Sequence, residues 1–474
     1  MPDTLPARIG DALRAADAGL DASLERLFNL LRIPSISTQP AHAGDCRAAA
    51  QWLAGELTGL GLDASLRETA GHPIVVAHAP GGGPDDHRPH VLFYGHYDVQ
   101  PVDPLSLWHS PPFEPKFEGE GDARRVVARG ASDDKGQVLT FVEALRALRE
   151  TGLELPVRVS LLIEGEEESG GANLPGFLAD NAEELACDVA LICDTDMLPG
   201  RVPAICAMLR GLVGEEVVLR AADRDLHSGM FGNAAANPIA ILARILADLR
   251  DADGRVTLTG FYDGVPVIPE ALRAQWATLG LDDDAAMLSP YGLSQAAGER
   301  GFSAMEQVWV RPSCEINGIS GGYTGDGFKT VLPAEAMAKV SFRLVGTQDP
   351  DAIRSAFRKH VTDRLPPDVT ATFHPHGGSR AVSLPLDGPW LRAALAALGE
   401  EWGHKAAVVA SGGSIPVATL LLDTLGVETL LIGFARADDR IHSPNEKYDV
   451  DSFHHGIRSW IRVLAALGTV KADA

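Results

Sequence analysis

The sequence predicts an α/β protein in which a mainly parallel sheet is flanked by helices and interrupted by an inserted α+β domain. Short apolar segments, among them Val91–Tyr94, Val157–Ile163 and Val189–Cys193, alternate with segments of helical apolar spacing such as Gln137–Arg149. This alternation is typical of a parallel sheet with connecting helices. The chain of 474 residues also exceeds the length at which one hydrophobic core stops growing, so two domains are expected.

The order of these patterns divides the chain into three segments. Residues 1–208 begin with two helical segments, Asp11–Leu31 and Ala48–Leu60, and continue into strands and helices of the sheet. Residues 209–380 contain strand-like segments with two helical ones between them, which predicts a small α+β sandwich. Residues 381–474 resume the α/β alternation. We therefore predict that segments one and three form the α/β domain and that segment two is the insertion.

The composition argues against several classes of function. The 64 acidic and 41 basic residues give a net charge of −23, which disfavours nucleic acid or an anionic membrane as a partner. No apolar run approaches a membrane span, and the first residues lack the basic flank and apolar core of a secretory signal. The five cysteines are scattered and odd in number, which disfavours a disulfide framework or a zinc knuckle. We therefore expect a cytoplasmic protein.

A run of carboxylates follows one of the apolar strands. Glu166, Glu167 and Glu168 follow the segment Val157–Ile163 after Glu164 and Gly165, and a glycine turn comes after Ser169. Carboxylates this close repel one another and resist ionising together, so the run favours a bound cation. A solvated acidic loop is the alternative, because charge runs are commonly exposed.

Other potential ligands also follow apolar segments. His96 and Asp98 are separated by the strand period of two, so Asp98 can accept the second ring N–H of His96 and leave the other nitrogen free for a metal. Asp194 ends the next strand, Asp133 precedes a helix and His442 lies in a turn near the carboxyl end. A structural histidine and a helix cap are the alternatives for His96 and Asp133 taken singly. Together the set favours two divalent ions with one bridging carboxylate, because parallel strands gather ligands at one edge.

Motifs along nearly the whole chain resemble those of the M20 metallopeptidase family, most closely its cytosolic nonspecific dipeptidase and carnosinase branch. The motifs are Tyr94-Gly95-His96-Tyr97-Asp98-Val99-Gln100-Pro101, Gly130-Ala131-Ser132-Asp133-Asp134-Lys135-Gly136, Glu164-Gly165-Glu166-Glu167-Glu168-Ser169-Gly170 and His442-Ser443-Pro444-Asn445-Glu446. The resemblance implies a catalytic α/β domain, an inserted lid and dimerisation domain, and a homodimer that acts on small peptides. It also implies a cis peptide bond after Asp133.

The resemblance assigns roles to the polar residues of these motifs. The implied ligands of two ions per subunit, Zn²⁺ or Mn²⁺, are His96 and Asp194 for one, Glu168 and His442 for the other, and Asp133 for both. Glu167 would be the general base, and Asp98 would orient His96. The family pattern places two glutamates before Ser-Gly, which selects Glu167 and Glu168 and leaves Glu166 without an assigned role.

The resemblance also implies a set of residues that contact the substrate. His227 would stabilise the oxyanion and, with Thr330, would reach the active site of the partner subunit. Arg343 would bind the substrate carboxylate, for which a planar guanidinium is suited, and the backbone of Gly413 and the side chain of Ser414 would hold the same group. The alternatives are an exposed turn histidine, an ordinary strand arginine and a simple glycine loop.

The chain departs from the family pattern at Asp196. Animal cytosolic dipeptidases have an aromatic residue two positions after the equivalent of Asp194, whereas this chain has a second aspartate. On a strand the two aspartates would share a face, so Asp196 is a candidate contact for a substrate ammonium or an additional acid beside the metals. A preference for carnosine is therefore not implied.

The sequence as a whole predicts a dinuclear metal-dependent dipeptidase in which Glu167 activates a water molecule. An N-acyl-amino-acid deacylase or a carboxypeptidase of the same family is the nearest alternative, since these enzymes share the metals and the base. A non-catalytic metal-binding scaffold is the alternative from another class. The presence of every implied ligand and of Glu167 argues against the scaffold.

Overall fold

The computed structural model describes residues 5–81, 83, 86–152, 154–413 and 415–471. The chain divides into two compact units, each described here by itself. The first comprises Met1–Ala207, Leu384–Val409 and Leu420–Ala474, and the second comprises Met208–Ser383 and Ala410–Thr419. Residues 410–419, which the sequence division left in the α/β domain, therefore group with the second unit.

Eighteen strands occur in the described residues. In chain order they are β1 (Asp63–Arg67), β2 (Ile74–His78), β3 (His90–His96), β4 (Lys116–Glu118), β5 (Arg125–Val127), β6 (Arg158–Glu164), β7 (Val189–Ile192), β8 (Ala204–Leu209), β9 (Gly211–Arg220), β10 (Leu226–His227), β11 (Ser313–Gly321), β12 (Val331–Leu332), β13 (Glu335–Leu344), β14 (Thr370–Ser379), β15 (Val382–Ser383), β16 (Ala407–Ser411), β17 (Glu428–Ile432) and β18 (Lys447–Asp449).

Thirteen α-helices occur in the same residues. They are α1 (Leu5–Leu31), α2 (Ala43–Gly59), α3 (Lys135–Glu150), α4 (Leu174–Asp180), α5 (Ser228–Phe231), α6 (Pro238–Ala247), α7 (Glu270–Thr278), α8 (Asp284–Leu288), α9 (Ala304–Trp309), α10 (Pro350–Thr362), α11 (Pro389–Trp402), α12 (Pro416–Leu425) and α13 (Val450–Leu467). None of these helices, over the part of the chain that is described, has both the length and the apolar character needed to cross a membrane.

A nine-stranded sheet of order β1-β2-β6-β3-β7-β17-β8-β15, with β16 also paired to β8, organises the first unit. Its central strands β6, β3, β7 and β17 are parallel, and β1, β2 and β8 pair antiparallel to their neighbours. Every residue of β3 is buried, as expected of a parallel strand covered on both faces. The apolar run that predicts this strand is therefore the centre of the core.

Aromatic side chains join this sheet to its helices. Phe93 of β3 stacks on Phe141 of α3 with ring centroids 3.9 Å apart. Trp460 of α13 packs edge-on against both rings, at 5.8 and 5.4 Å. A fully buried side chain of this size contributes about 1.5–3 kcal/mol of hydrophobic free energy. The helices thereby fix the strands whose ends carry the candidate ligands.

The second unit contains a four-stranded antiparallel sheet of order β11-β13-β9-β14. Residues of β13 alternate between buried and more exposed positions, so that Phe342 is buried and Arg343 is half-buried, as the strand alternation predicts. Helices α6 and α10 pack on this sheet, and Phe342 and Phe357 lie in their common core. The segment 256–311, unassigned in the sequence, adds the short helices α7, α8 and α9.

Candidate metal centre

The candidate centre lies at the carboxyl edge of the parallel strands. His96 is the last residue of β3, and Asp194 lies two residues beyond the end of β7. Glu167 and Glu168 follow β6 in a 3₁₀ turn, Glu167–Ser169. Parallel strands end at one edge of their sheet, which is why segments far apart in the chain deliver their polar residues to one place.

Two loops supply the remaining residues. Asp133 lies just before α3, and the peptide bond between Asp133 and Asp134 is cis, as the family resemblance implies. His442 lies between β17 and β18 with a left-handed backbone, φ 60°. The side chains of both residues reach the strand ends, so the centre is built from four separate segments of the first unit and the 3₁₀ turn.

The five predicted ligands form two groups that share Asp133. His96, Asp133 and Asp194 form one group, and Asp133, Glu168 and His442 form the other; within each group the potential ligand atoms lie within 4.8 Å of one another. Asp133 Oδ1 is 3.2 Å from His96 Nε2, and Asp133 Oδ2 is 2.8 Å from His442 Nε2. Each oxygen of Asp133 therefore faces a different group, which is the arrangement a bridging carboxylate requires.

The environment of His96 fits a metal ligand. The backbone carbonyl of Asp98 accepts from Nδ1 at 3.2 Å, and Oδ1 of the same residue is 3.3 Å from Nδ1. No atom of the described residues forms a hydrogen bond with the buried Nε2, although an oxygen of Asp133 lies nearby. A buried ring nitrogen without a partner is costly unless something satisfies it. Nitrogen and carboxylate oxygen are ligands that Zn²⁺ and Mn²⁺ both accept, so the donor set fits divalent ions.

Asp98 also holds the second group in place. Its Oδ2 accepts a hydrogen bond from the backbone N–H of Glu168 at 3.1 Å. One carboxylate therefore contacts the turn that carries Glu168 and lies beside the imidazole of His96. The predicted orienting role of Asp98 is compatible with this geometry, with the backbone carbonyl as the acceptor for His96.

Carboxylates crowd the centre. Burial, reinforced by the charge of Asp133, raises the pKa of Asp194 to about 7. Burial also raises the pKa of Glu167. Burial opposes ionisation of Asp133 as well, but the adjacent imidazoles of His442 and His96 outweigh it and hold the pKa of Asp133 low. In this cluster the carboxylates outnumber the basic side chains. Divalent cations would compensate the excess negative charge.

The structure separates the three consecutive glutamates. Glu166 accepts hydrogen bonds from the backbone of His72 at 3.1 Å and from Asn173 Nδ2 at 2.7 Å, so it braces the turn. Glu168 is 3.2 Å from His442 Nε2, and its other oxygen accepts from the Gln100 side chain at 2.8 Å. Glu167 stands between them. These contacts agree with a register in which Glu166 has no place among the ligands.

Several predicted substrate contacts lie in the second unit. His227, at the end of β10, pairs with Val331 of β12, and the N–H of Ser228 donates to the carbonyl of Thr330 at 3.0 Å. The His227 ring accepts from the backbone of Gly229 at 3.0 Å, and both His227 and Thr330 are exposed. The two residues implied to reach a partner subunit are therefore neighbours on one two-stranded ribbon.

Arg343 and Gly413 lie near a residue that the sequence analysis did not identify. Arg343 lines a cavity of about 530 Å³ in the second unit together with Arg210. Arg210 Nε donates to the carbonyl of Gly412 at 2.9 Å, and its backbone N–H donates to the carbonyl of Gly413 at 3.2 Å. Burial and the charge of Arg343 lower the pKa of Arg210 to about 10. Ser414 lies outside the described residues.

The interpretation of Asp196 on a strand is wrong. Strand β7 ends at Ile192, so strand alternation does not extend to Asp194 and Asp196. Asp196 instead forms an isolated parallel bridge with Ala435, is exposed, and belongs to neither ligand group found among the described residues. The sequence pattern misplaces it because hydrophobicity marks where a buried strand runs better than where its hydrogen bonds stop.

The chain is similar to a known peptidase family and to proteins named as dipeptidases. The profile of Peptidase family M20/M25/M40 matches residues 92–466. The Cys-Gly metallodipeptidase DUG1 of Candida albicans is 29% identical over 452 residues, 92% of each chain. The Beta-Ala-His dipeptidase of Rattus norvegicus is 30% identical over 386 residues, which are 79% of this chain and 76% of that protein.

A solved structure gives the same result. That of an M20 family metallo-carboxypeptidase, Sso-CP2 from Sulfolobus solfataricus, matches with a TM-score of 0.78 and 31% identity over 94% of this chain and 99% of that one. The match confirms the predicted fold class, and the family profile confirms the resemblance inferred from the motifs. The chain therefore belongs to the M20/M25/M40 peptidase family and is a metallopeptidase.

Proposed function

We propose that this protein is a dinuclear metal-dependent dipeptidase. The observation that carries the proposal is the shared position of Asp133, whose two oxygens face His96 on one side and His442 on the other. The similarity to proteins named as dipeptidases supports the choice of substrate. A single-ion site would not need a carboxylate between two groups of ligands.

The ligands follow from the two groups. His96 and Asp194 would hold one ion, Glu168 and His442 the other, and Asp133 both. When bound, such a pair of ions polarises a carbonyl and lowers the pKa of a shared water toward about 7. Zn²⁺ and Mn²⁺ both suit imidazole and carboxylate ligands, so either ion fits this set.

Glu167 is the proposed general base and acid. It accepts a proton from the attacking water and returns it to the leaving amine. A raised pKa suits this task, because the carboxylate must bind the proton firmly enough to carry it between the two steps. Asp98 contributes by orienting the imidazole of His96 through its backbone carbonyl and by holding the turn of Glu168 with its carboxylate.

The proposed contacts with the substrate come from the second unit. Arg343 binds the free carboxylate of a dipeptide, with the backbone of Gly413 and the side chain of Ser414. His227 stabilises the developing oxyanion, because a donor placed where charge develops lowers the barrier. Thr330 acts beside it.

A homodimer would let the exposed ribbon of His227 and Thr330 complete the site of a partner subunit. Mixing an inactive His227→Ala protein with an inactive Glu167→Ala protein tests this, since one mixed site would then contain both intact residues. We expect partial recovery of activity. No recovery despite demonstrated exchange of subunits would contradict sharing of sites.

A carboxypeptidase is the second candidate, favoured by the similarity to Sso-CP2. An N-acyl-amino-acid deacylase would use the same ligands and base, and recognition of a free substrate amine separates a dipeptidase from both. Asp196 remains a proposed contact for that amine. A catalytically inert scaffold would bind metal and hydrolyse none of these compounds.

The deciding experiment compares three sets of compounds: free dipeptides, the same dipeptides with a blocked amine, and N-acetyl amino acids. The protein is assayed with Zn²⁺ and with Mn²⁺. We expect free dipeptides to be the preferred substrates. Faster cleavage of blocked dipeptides would indicate a carboxypeptidase, preference for N-acetyl amino acids would indicate a deacylase, and no cleavage by metal-loaded protein would indicate the scaffold.

A further inference from the structure

Glu446 is a fully buried carboxylate that the proposed reaction does not use. We infer that Glu446 is a positioning residue, whose carboxylate fixes the loop Gly130–Asp133 so that Asp133 faces both ligand groups. The inference rests on the proposed function, because it concerns the same metal centre. It goes further by assigning a role to a residue outside the ligand set.

The contacts of Glu446 are unusually complete. Its Oε1 accepts from the backbone N–H groups of Ser132 at 2.9 Å and Asp133 at 3.0 Å. Its Oε2 accepts from the backbone N–H of Gly130 at 2.9 Å and from Arg129 Nη1 at 2.7 Å. Arg129 is 1% exposed. Three of the four donors thus belong to the loop backbone itself, including the N–H of the bridging residue.

These contacts bear on metal binding through the geometry of Asp133. A bridging carboxylate must present both oxygens within a narrow range of positions, and a short side chain cannot correct a displaced backbone. Hydrogen bonds to an ionised acceptor are about twice as strong as neutral ones. A second brace holds the same loop, since Ser132 Oγ donates to Asp439 Oδ2 at 2.9 Å.

Glu446 lies in the same short segment as His442, a predicted ligand of the second group. The same short segment carries His442 and Glu446, so one end supplies a ligand and the other fixes the loop of Asp133. Asn445 anchors this segment by accepting from the N–H of His109 at 2.7 Å and donating to the carbonyl of Leu107 at 2.8 Å. Glu446 itself belongs to neither ligand group found among the described residues, and it contacts the backbone N–H of Asp133, so it acts through that residue.

The test measures binding of Mn²⁺ rather than turnover. Metal-free protein is titrated with Mn²⁺ in competition with a metallochromic chelator, and circular dichroism establishes that each variant is folded. In Glu446→Gln an NH₂ group replaces one carboxylate oxygen and cannot accept from the two donors that face this oxygen. The loop therefore loses part of the hydrogen bonding that fixes it. Affinity is expected to fall about 10- to 100-fold, the usual effect of removing a residue that orients a metal ligand.

Two further variants isolate the effect. Glu446→Asp keeps a charge opposite Arg129, which protects the fold, but draws the carboxylate back from the loop, so affinity is expected to fall here also. Arg129→Lys keeps the cation and leaves the three backbone donors of the loop on Glu446. Its affinity for Mn²⁺ is expected to match that of the wild type, even if its stability is lower.

Specific outcomes would overturn the inference. Folded Glu446→Gln or Glu446→Asp that binds Mn²⁺ as tightly as wild type would do so. A loss in Arg129→Lys as large as that in Glu446→Gln would show that only the buried ion pair matters. A wild type that binds no Mn²⁺ or Zn²⁺ would overturn the proposed function together with this inference, whereas unchanged variants of a metal-binding wild type would overturn the inference alone.

Discussion

Two buried clusters of the first unit shift the pKa values of their carboxylates in opposite directions. Glu401 accepts from His455 Nδ1 at 2.8 Å and from the Nε atoms of Arg458 at 2.5 Å and Arg462 at 2.8 Å. Burial alone would raise the pKa of Glu401, but these partners outweigh it and lower the pKa to about 2. In the candidate metal centre, burial and a neighbouring carboxylate instead raise the pKa of Asp194 to about 7.

The difference separates a carboxylate with a structural environment from those of the candidate metal centre. The Glu401 cluster supplies its own cations and is complete within the chain. The cluster around Asp133 has more carboxylates than basic partners, and its histidines are those expected of ligands. A buried charge persists only if something compensates it, so a persistent deficit indicates a group that the chain itself does not provide. Carboxyl groups whose pKa is raised by burial and by a neighbouring carboxylate are candidates for functional sites for this reason.

Removal of metal is expected to have the largest effect on activity and stability. Exhaustive dialysis against a chelator is expected to abolish hydrolysis and to lower the free energy of unfolding. A ligand present at a thousandfold excess over its Kd contributes about 4 kcal/mol to stability. Activity and melting temperature are measured before dialysis, after it, and after Mn²⁺ or Zn²⁺ is restored. Full activity in protein shown by elemental analysis to be metal-free would contradict the account.

The next largest effect concerns the base. Glu167→Gln removes a proton acceptor without changing side-chain size, and kcat is expected to fall about 10²- to 10⁴-fold. The metal content of the variant should equal that of the wild type, because Glu167 is not in either ligand group. Steady-state kinetics and elemental analysis check the two expectations. Near-normal kcat in a folded, metal-loaded variant would remove Glu167 from its proposed role.

Glu401→Gln should affect stability and not chemistry. Loss of hydrogen bonds to charged partners is expected to cost about 1.5–3 kcal/mol at pH 7. The pKa of Glu401 in the folded protein, about 2, lies below its ordinary value of 4.5. The ionised carboxylate therefore stabilises the fold at pH values above about 4.5, and this stabilisation is lost as the pH falls toward 2.

Urea unfolding of both proteins at several pH values measures this difference. The gap between wild type and Glu401→Gln should be widest near neutral pH and should close on acidification below about 4.5. The kcat of the variant and its affinity for Mn²⁺ should equal those of the wild type. A gap that widens in acid, or a loss of metal affinity, would mean that the two clusters are not independent.

Glu166→Gln should have the smallest effect and sharpens the comparison within one turn. Among the described residues, the side chain of Glu166 accepts hydrogen bonds from neutral donors, the backbone of His72 and the side chain of Asn173. A glutamine can still accept one of these bonds, so a loss of about 0.5–1.5 kcal/mol is expected with little change in kcat. Thermal unfolding and the dipeptide assay measure both. A loss of kcat comparable to that of Glu167→Gln would show that the register of the three glutamates is wrong.

The proximity of the predicted ligands in the candidate centre could be anticipated, because parallel strands bring residues from distant segments to one edge of the sheet. His96 and Asp194 each follow an apolar strand, and such strands must end at one edge, so sequence position implies proximity. The side chains that brace these residues could not be found in this way. Arg210 and Glu446 make their contacts with residues about 200 and more than 300 positions away, and no local periodicity encodes a partner at that separation.

The exact ends of helices and strands could not be predicted from the sequence either. The first helix begins at Leu5 and the second spans Ala43–Gly59, whereas the patterns indicate Asp11 and Ala48 as their starts. An apolar period is recognisable only over several turns, which is why it marks the middle of a helix better than its start. The same limit explains the misplaced strand end before Asp194.

The position of the ions tests the central claim most directly. Crystals grown with Mn²⁺ and measured at its absorption edge would show each ion as an anomalous peak, without reliance on activity. We predict two peaks per chain, one beside His96 and Asp194 and one beside Glu168 and His442, with an oxygen of Asp133 toward each. A single peak, or peaks that Asp133 does not contact, would contradict the dinuclear centre.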